Sequence, residues 1–373
     1  MCQEENEGST NNSLNLSLLL QYDCSYPNLS FLCPLATLED LANLSLLSFL
    51  LEGVLQFIIS CLGILGNTVS LYILTRKELH SFFNQLLTGL VIYDLVYLLT
   101  MMLGSLRKFG VQSDLHIVLF PYVLYPMNAI SMMGSIYMTM AVGMERYIAV
   151  YQPMEYSRVA NDASAHTKRL LTYVLPITLF SVFFNIPKFL DSQVVYKDNE
   201  VYMEVTDLRM STPYVTWDHN WARLMVLGVF PLIVICYLNY KIYVVISKRR
   251  KIHRRKQDDN LSVVLMIIII SFTICNILRV VLNMHEITVI EEIHICRNSN
   301  LGGFPLWIII LGFISPILLV IHSSANLLIY CVFGTKFRQI FYSYLACWGQ
   351  ESNQDQGNTQ NKNIKKKGLL TFN

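Results

Sequence analysis

A chain of 373 residues of which 53% are hydrophobic and 14% charged carries far less charge than the quarter or so usual in a soluble domain. Its mean hydropathy of +0.43 excludes a molecule solvated by water alone; the net charge of +2 is uninformative in itself, and no nucleic-acid partner is expected. The information lies in how the charge is distributed along the chain.

Residues 1–46 are polar and acidic at the start, and the opening MCQEENEGST has neither the basic head nor the apolar stretch of a cleavable signal. Targeting is therefore expected from the first membrane helix. Asn11, Asn15, Asn28 and Asn43 each open an Asn-X-Ser sequon, which places this segment outside the cell if they are glycosylated.

A helix needs roughly 20 mostly apolar residues to cross the hydrocarbon layer. Seven stretches qualify, at 47–75, 83–106, 117–150, 169–190, 222–247, 260–284 and 304–333. With the flanking Arg169 and Arg223 counted, the segments on one side hold 18 Lys+Arg against 7 Asp+Glu, and those on the other hold 7 against 16. The excess of Lys and Arg marks the cytosolic side, so the N-terminus is outside. The run Lys248-Arg-Arg-Lys-Ile-His-Arg-Arg-Lys256 alone fixes the third inner loop, 248–259, in the cytosol.

Beyond 333 the residues Phe337, Ile340, Phe341, Tyr344 and Leu345 recur on one helical face, with Lys336, Arg338 and Gln339 on the other. Residues 334–348 therefore read as a short helix lying in the membrane interface. Cys347 at its end is either a palmitoylation site or a free thiol. The tail 349–373 is polar and of low complexity, which predicts disorder. The fold expected is an all-α integral membrane protein, a bundle of seven transmembrane helices with an interfacial eighth.

Charges inside a span cost about 2.5–3.5 kcal/mol each at mid-bilayer and need a partner or a function. Asp94 lies mid-span in the second stretch, Glu145-Arg146-Tyr147 near the inner end of the third, Arg279 in the outer half of the sixth, and Glu52 near the outer end of the first. Together with Gly66-Asn67, Pro153, Pro231, Phe272-x-x-Cys275 and Asn326-Leu-Leu-Ile-Tyr330, one set per span, they make the chain resemble the rhodopsin-like (class A) G-protein-coupled receptors over residues 60–345. The strings GSIYMTMAVGMERYIAVYQP, FNIPKF, CYLNYKIY and SSANLLIYCVFGTKF look like the invertebrate FMRFamide-type neuropeptide receptors.

That resemblance implies a two-state bundle in the plasma membrane, biased outside by a peptide and read inside by a heterotrimeric G protein. Glu145, Arg146, Tyr147, Asn326 and Tyr330 become the switch. Asp258 is either a partner of Arg146 or a helix N-cap. Asp94, Ser135, Ser323 and Asn326, with Asn276 and His322 nearby, become either a sodium site or a hydrogen-bonded network; otherwise no cofactor is expected. Asn276 stands where the family usually has Trp, His322 where it has Asn, and Leu278 where it has Pro.

Asn128 stands where amine receptors carry an Asp, and Val320 where opsins carry a Lys, so neither ligand class is expected. The outer segments are acidic, which favours a cationic ligand such as a peptide ending in Arg-Phe-amide. Glu286 is the first choice to meet it, two helical turns above Arg279. Asn128, Met132, Asn276, Arg279 and His285 are expected to line the cavity with it, and Asp218, Glu291 and Glu292 to add to the acidic field.

Most relatives tie the third helix to the second outer loop by a disulfide, but no Cys lies between Arg107 and Met127 or between Lys188 and Arg223. The outer cysteines Cys2, Cys24, Cys33 and Cys296 allow three pairings, including Cys24 or Cys33 with Cys296.

An enzyme is not expected. His285-Glu286 begins a His-Glu-x-x-His zinc motif, but position 289 is Val. The alternatives are the same fold sensing another peptide or a non-peptide ligand, or a polytopic transporter, for which the two related halves are not evident.

Overall fold

The computed structural model describes residues 38–79, 81–110, 113–154, 156, 163–197, 200–211, 213–252, 256–289, 305–333 and 337–343. Asn11, Asn15, Asn28, Cys24, Cys33, Glu291, Glu292, Cys296 and Cys347 lie outside them, as do Tyr344 and Leu345.

Helix α1 joins Leu38–Ser48, Phe49–Leu55 and Gln56–Leu74; α2 is Phe82–Ser105; α3 joins Asp114–Leu119, Phe120–Leu124 and Tyr125–Tyr151; α4 is Ala163–Phe184. Helix α5 joins Tyr214–Ala222, Leu224–Val229 and Phe230–Ile252; α6 is Lys256–Thr288; α7 joins Leu306–Ser324 and Asn326–Phe333. By length and composition α1, α2, α3, α5 and α7 can each cross a membrane, and α4 has its apolar part at Leu170–Phe184. The outward faces are apolar, with Leu65 65% and Leu328 67% exposed, while Asp94 in the middle of the bundle is 1% exposed. A water-soluble protein shows the reverse, so lipid is the solvent of these faces.

Local chemistry sets where the helices start, widen and stop. The Ser81 hydroxyl accepts from the Asn84 N–H at 3.3 Å and caps α2. A 3-10 turn over Leu106–Phe109 follows, and Gly110, at φ 74°, stops it in the left-handed conformation. The stretches Phe49–Leu55, Phe120–Leu124, Tyr214–Ala222 and Leu224–Val229 are π-helical. Pro121 lies within the second of these, Pro126 just after it, and Pro231 just after the last. A ring without an N–H clashes with the preceding turn, and a wider turn absorbs the clash. Helix α6 has no such break from Lys256 to Thr288, in keeping with Leu278 in place of a Pro.

Without hydrophobic drive between helices in lipid, close packing holds them. Leu86, Leu90, Val91, Met133, Met138, Ile242 and Phe272 form one buried cluster among α2, α3, α5 and α6. Helix α1 meets α7 where Gly63 abuts Ser324, and a side chain at Gly63 would overlap that hydroxyl.

Three features depart from the sequence expectation. Helix α1 begins at Leu38, ahead of the span expected from 47, so Asn43 is exposed on a helix. The basic third inner loop is largely helical, with only residues 253–255 between α5 and α6. Asp258 is the third residue of α6, in its first turn. The second outer loop adds a β-hairpin to the helices. Strand β1 (Ser192–Lys197) pairs antiparallel with β2 (Glu200–Val205), with Ser192 opposite Val205 and Lys197 opposite Glu200. Past α7, residues 337–343 are helical, with Phe337 buried against the Tyr330 ring at 5.5 Å and Arg338 and Gln339 exposed.

Candidate functional site

At the inner end, α3 carries Glu145, fully buried, and Arg146, whose guanidinium lies 3.1 Å from the centroid of the Phe83 ring on α2. Tyr147 stacks on Tyr151 with ring centroids 5.4 Å apart. On α7, Tyr330 is 2% exposed, and its hydroxyl has no hydrogen-bond partner among the described residues. The side chain of Asp258 lies outside the described residues.

Midway through the bundle, Asp94 gathers α2, α3 and α7. The Ser135 hydroxyl donates to one carboxylate oxygen at 2.6 Å, and the Asn326 amide donates to the other at 2.6 Å. The Asn67 amide donates to the Ser323 carbonyl at 2.8 Å, which brings in α1. This carbonyl is reachable because α7 tightens at Ala325, whose N–H bonds the His322 carbonyl at 3.1 Å. His322 Nδ1 faces the Ser271 hydroxyl of α6 at 3.3 Å. Asn276 bonds the Phe272 carbonyl of its own helix at 2.9 Å and is 1% exposed, so it does not line the outer cavity as expected. It sits below that cavity, in the packed core.

Among the outer halves of the helices lies a cavity of about 380 Å³, within the usual range of ligand sites. The expected Asn128, Met132 and Arg279 line it, joined by Tyr97, Tyr125, Lys188, Arg223, Asn283 and Ser315. A second lobe of about 250 Å³ shares Met101, Tyr125, Asn128 and Pro316 with it, and reaches Arg107 and the Glu52–Lys108 ion pair at 2.9 Å. Glu52 is thus paired within the protein.

Glu286, His285 and Asp218 do not line this cavity. The His285 ring packs edge-on against Trp307 at 5.2 Å. Glu286 interacts with Asn220 and Arg209, towards the outer end of α5. Asp218 keeps one buried oxygen without a hydrogen-bond partner among the described residues and attracts Arg223. The cavity wall is cationic instead. Arg279 touches the Met132 sulfur at 2.9 Å, has no carboxylate in ion-pair contact among the described residues, and feels the like charge of Arg223. Arg223 donates to the Asn185 side-chain oxygen at 3.1 Å, while its buried Nε has no hydrogen-bond partner among the described residues.

Lys188 and Asp191 close the top of the wall. They pair at 2.6 Å with side chains 2% and 3% exposed. The Tyr214 hydroxyl of α5 donates to Asp191 at 2.6 Å, and the Tyr125 hydroxyl of α3 donates to it at 3.3 Å. Burial pushes the Asp191 carboxyl up, but the hydrogen bonds from Lys188 and Tyr214 and the Lys188 charge outweigh it and hold the carboxyl below the usual range. Tyr122 adds a tie from α3 to the hairpin, accepting from the Val194 N–H at 3.3 Å. This polar latch joins α3, the hairpin and α5. Sequence reading missed it. The Tyr125–Asn128 spacing, one helical turn on one face, was the only signal for the α3 part.

Residues 66–330 match the rhodopsin family of seven-transmembrane receptors, more than half of the chain. The chain is 30% identical to the FMRFamide receptor of Drosophila melanogaster over 84% of its own length and 57% of that protein's. It is 25% identical to the probable G-protein coupled receptor frpr-1 of Caenorhabditis elegans, covering 79% of the chain and 78% of the relative. It is 23% identical to the rat somatostatin receptor type 5, again over 79% and 78%. The chain thus spans little more than half the length of the Drosophila relative. Matched from the Gly66-Asn67 pair of α1 to Tyr330 of α7, this multi-pass membrane protein belongs to the rhodopsin family of seven-transmembrane receptors, a family of signalling receptors and not of enzymes.

Proposed function

We propose that the chain is a plasma-membrane receptor for an amidated neuropeptide of the FMRFamide type, with its N-terminus outside and a heterotrimeric G protein as its inner partner. The observation that carries this is the two-lobed outer cavity, cationic and aromatic on its wall and set over an Asp94 network that links α1, α2, α3 and α7. Relatives named for FMRFamide supply the ligand class. Arg146, Tyr147 and the basic inner ends of α5 and α6 form the face offered to the G protein, and residues 337–343 extend it along the lipid interface.

Expression in cells that report G-protein activation, with a panel of amidated neuropeptides beside their free acids, tests this reading. A response to amidated Arg-Phe peptides supports it. A response only to unrelated peptides keeps the receptor and removes the ligand class.

The acidic rim acts at long range. Asp218 and Glu286 stand outside the cavity, where they raise the local concentration of a basic peptide without bonding it in place. Glu286→Gln is therefore expected to weaken agonist potency by only about three- to tenfold, more at low salt, with surface expression unchanged. A loss beyond that, insensitive to salt, would move Glu286 into direct contact with the ligand.

We read the Asp94 cluster as a hydrogen-bonded network rather than a sodium site. Both carboxylate oxygens already accept short bonds from Ser135 and Asn326, and the Asn326 amide offers a cation no oxygen from the group that binds Asp94. Sodium titration should leave agonist potency unchanged in the wild type and in Asp94→Asn alike. A sodium effect in the wild type that Asp94→Asn removes would install the ion instead.

A further inference from the structure

Two polar groups on the cavity wall have unused hydrogen-bonding capacity of opposite kinds. Arg279 presents guanidinium donors, and among the described residues its one hydrogen bond is to the Met132 thioether at 2.9 Å, a weak acceptor. Asn128 is the converse. Its amide nitrogen donates to the Thr100 hydroxyl at 3.0 Å, and Thr100 in turn donates to the Tyr97 carbonyl at 2.8 Å. That chain fixes the Asn128 amide, and its Oδ1 accepts nothing from the described residues. Met132 lies one turn along α3 from Asn128, so the donor and the acceptor flank one stretch of wall. The same cavity has apolar lining from Met101, Ala129, Leu282 and Leu319.

We propose that Arg279 and Asn128 together read the terminal carboxamide of the ligand, which makes Asn128 a residue that distinguishes an amidated peptide from its free acid. This rests on the peptide-receptor reading above. A primary carboxamide has one acceptor oxygen and one donor nitrogen. Its oxygen accepts from Arg279 and its NH2 donates to Asn128 Oδ1. A carboxylate satisfies Arg279 but turns a lone pair towards Asn128 Oδ1, and neither oxygen can donate. Coulomb attraction to Arg279 and Arg223 favours the carboxylate. Against this stand the larger cost of stripping water from an ion and the unbonded oxygen it faces. The terminal aromatic ring takes the apolar surface, where the two methionines suit it. The ligand's own guanidinium is repelled by Arg279 and Arg223 and stays near the acidic rim. The ligand thus enters amide first.

The test measures the potency of Phe-Met-Arg-Phe-amide and of its free acid on the full-length receptor in cells, with surface amount counted by an outer epitope. Wild type is expected to prefer the amide by at least about 100-fold, in line with sites built to bond a specific donor. Asn128→Leu should bring that ratio below about 10 by weakening the amide alone. Asn128→Asp should widen it, because the new carboxylate still accepts from NH2 but repels a second carboxylate. Arg279→Gln should weaken both ligands. A merely structural role for Asn128 would weaken both ligands alike and leave the ratio in place. An amide response whose ratio survives both Asn128 variants overturns the proposal and leaves the receptor reading intact. A wild type present at the surface and silent to both peptides overturns the two together. If Asn128→Leu fails to reach the surface, the direction of the Asn128→Asp change decides.

Discussion

Arg146→Ala is expected to abolish G-protein activation while the receptor still reaches the cell surface. Its guanidinium is held at the inner end of α3 against the Phe83 ring, 3.1 Å from the centroid, next to a fully buried Glu145. A half-buried cation on an aromatic face contributes about 1 kcal/mol. Removing it weakens the resting packing by an amount a bundle of this size tolerates, so surface counts should fall only modestly. The signalling loss is of another kind. A ligand shifts the equilibrium only as far as the two states differ in their contacts, and Arg146 is the charged group positioned to exchange its α2 contact for one with a partner below. Arg146→Lys keeps the charge but loses the planar fork, and should recover little of the response. Dose–response curves normalised to surface epitope decide the matter. A full response from Arg146→Ala would remove this residue from the switch.

The second large effect is expected at the latch. Asp191→Ala leaves Lys188 buried without its carboxylate and takes the acceptor from Tyr214 and Tyr125. Breaking one side of a buried ion pair costs about 3–5 kcal/mol. Most Asp191→Ala protein should therefore be retained before the surface, and the remainder should bind agonist poorly, since Lys188 and Tyr125 also line the cavity. The double variant Lys188→Met with Asp191→Leu removes both charges and should recover much of the surface amount. Equal losses in the single and double variants would show that the two side chains are not coupled. The sign with pH follows from the depressed Asp191 carboxyl. Its stabilisation is present above the ordinary carboxylate range and is lost only as pH falls through the lower folded value. Acidification to about pH 5 should therefore leave the latch closed.

The parts legible in the sequence were those written locally. Apolar runs marked the helices, and Asp94 and Asn326, polar residues within them, marked the polar core. The cavity wall was legible in part. Asn128, Met132 and Arg279 were readable because each is a polar or adaptable residue inside an apolar span. Lys188, Arg223 and Asp191 were not, because their meaning lies in contacts between distant segments, such as Arg223 with Asn185 and Tyr125 with Asp191. Glu286 was assigned to the cavity because seven residues bring a helix back to nearly the same face. The same two turns also carried it above the cavity, to a level where α6 meets the outer end of α5. The hairpin was hidden because its alternation is blurred, with Val194 and Val195 adjacent and partners set by register rather than by composition.

Helix α6 has one more consequence. It runs without proline or wide turn from Lys256 to Thr288. At 1.5 Å per residue, Arg279 stands roughly 35 Å along the axis from the inner end. An unbroken rod of that length acts as a lever rather than a hinge. A tilt of about 5° taken up around the ligand sweeps the opposite tip by about 3 Å, and no joint along the rod dissipates it. The outer cavity and the cytosolic surface are then two ends of one rigid body, and the stiffness of α6 sets how faithfully a small displacement at one is reported at the other.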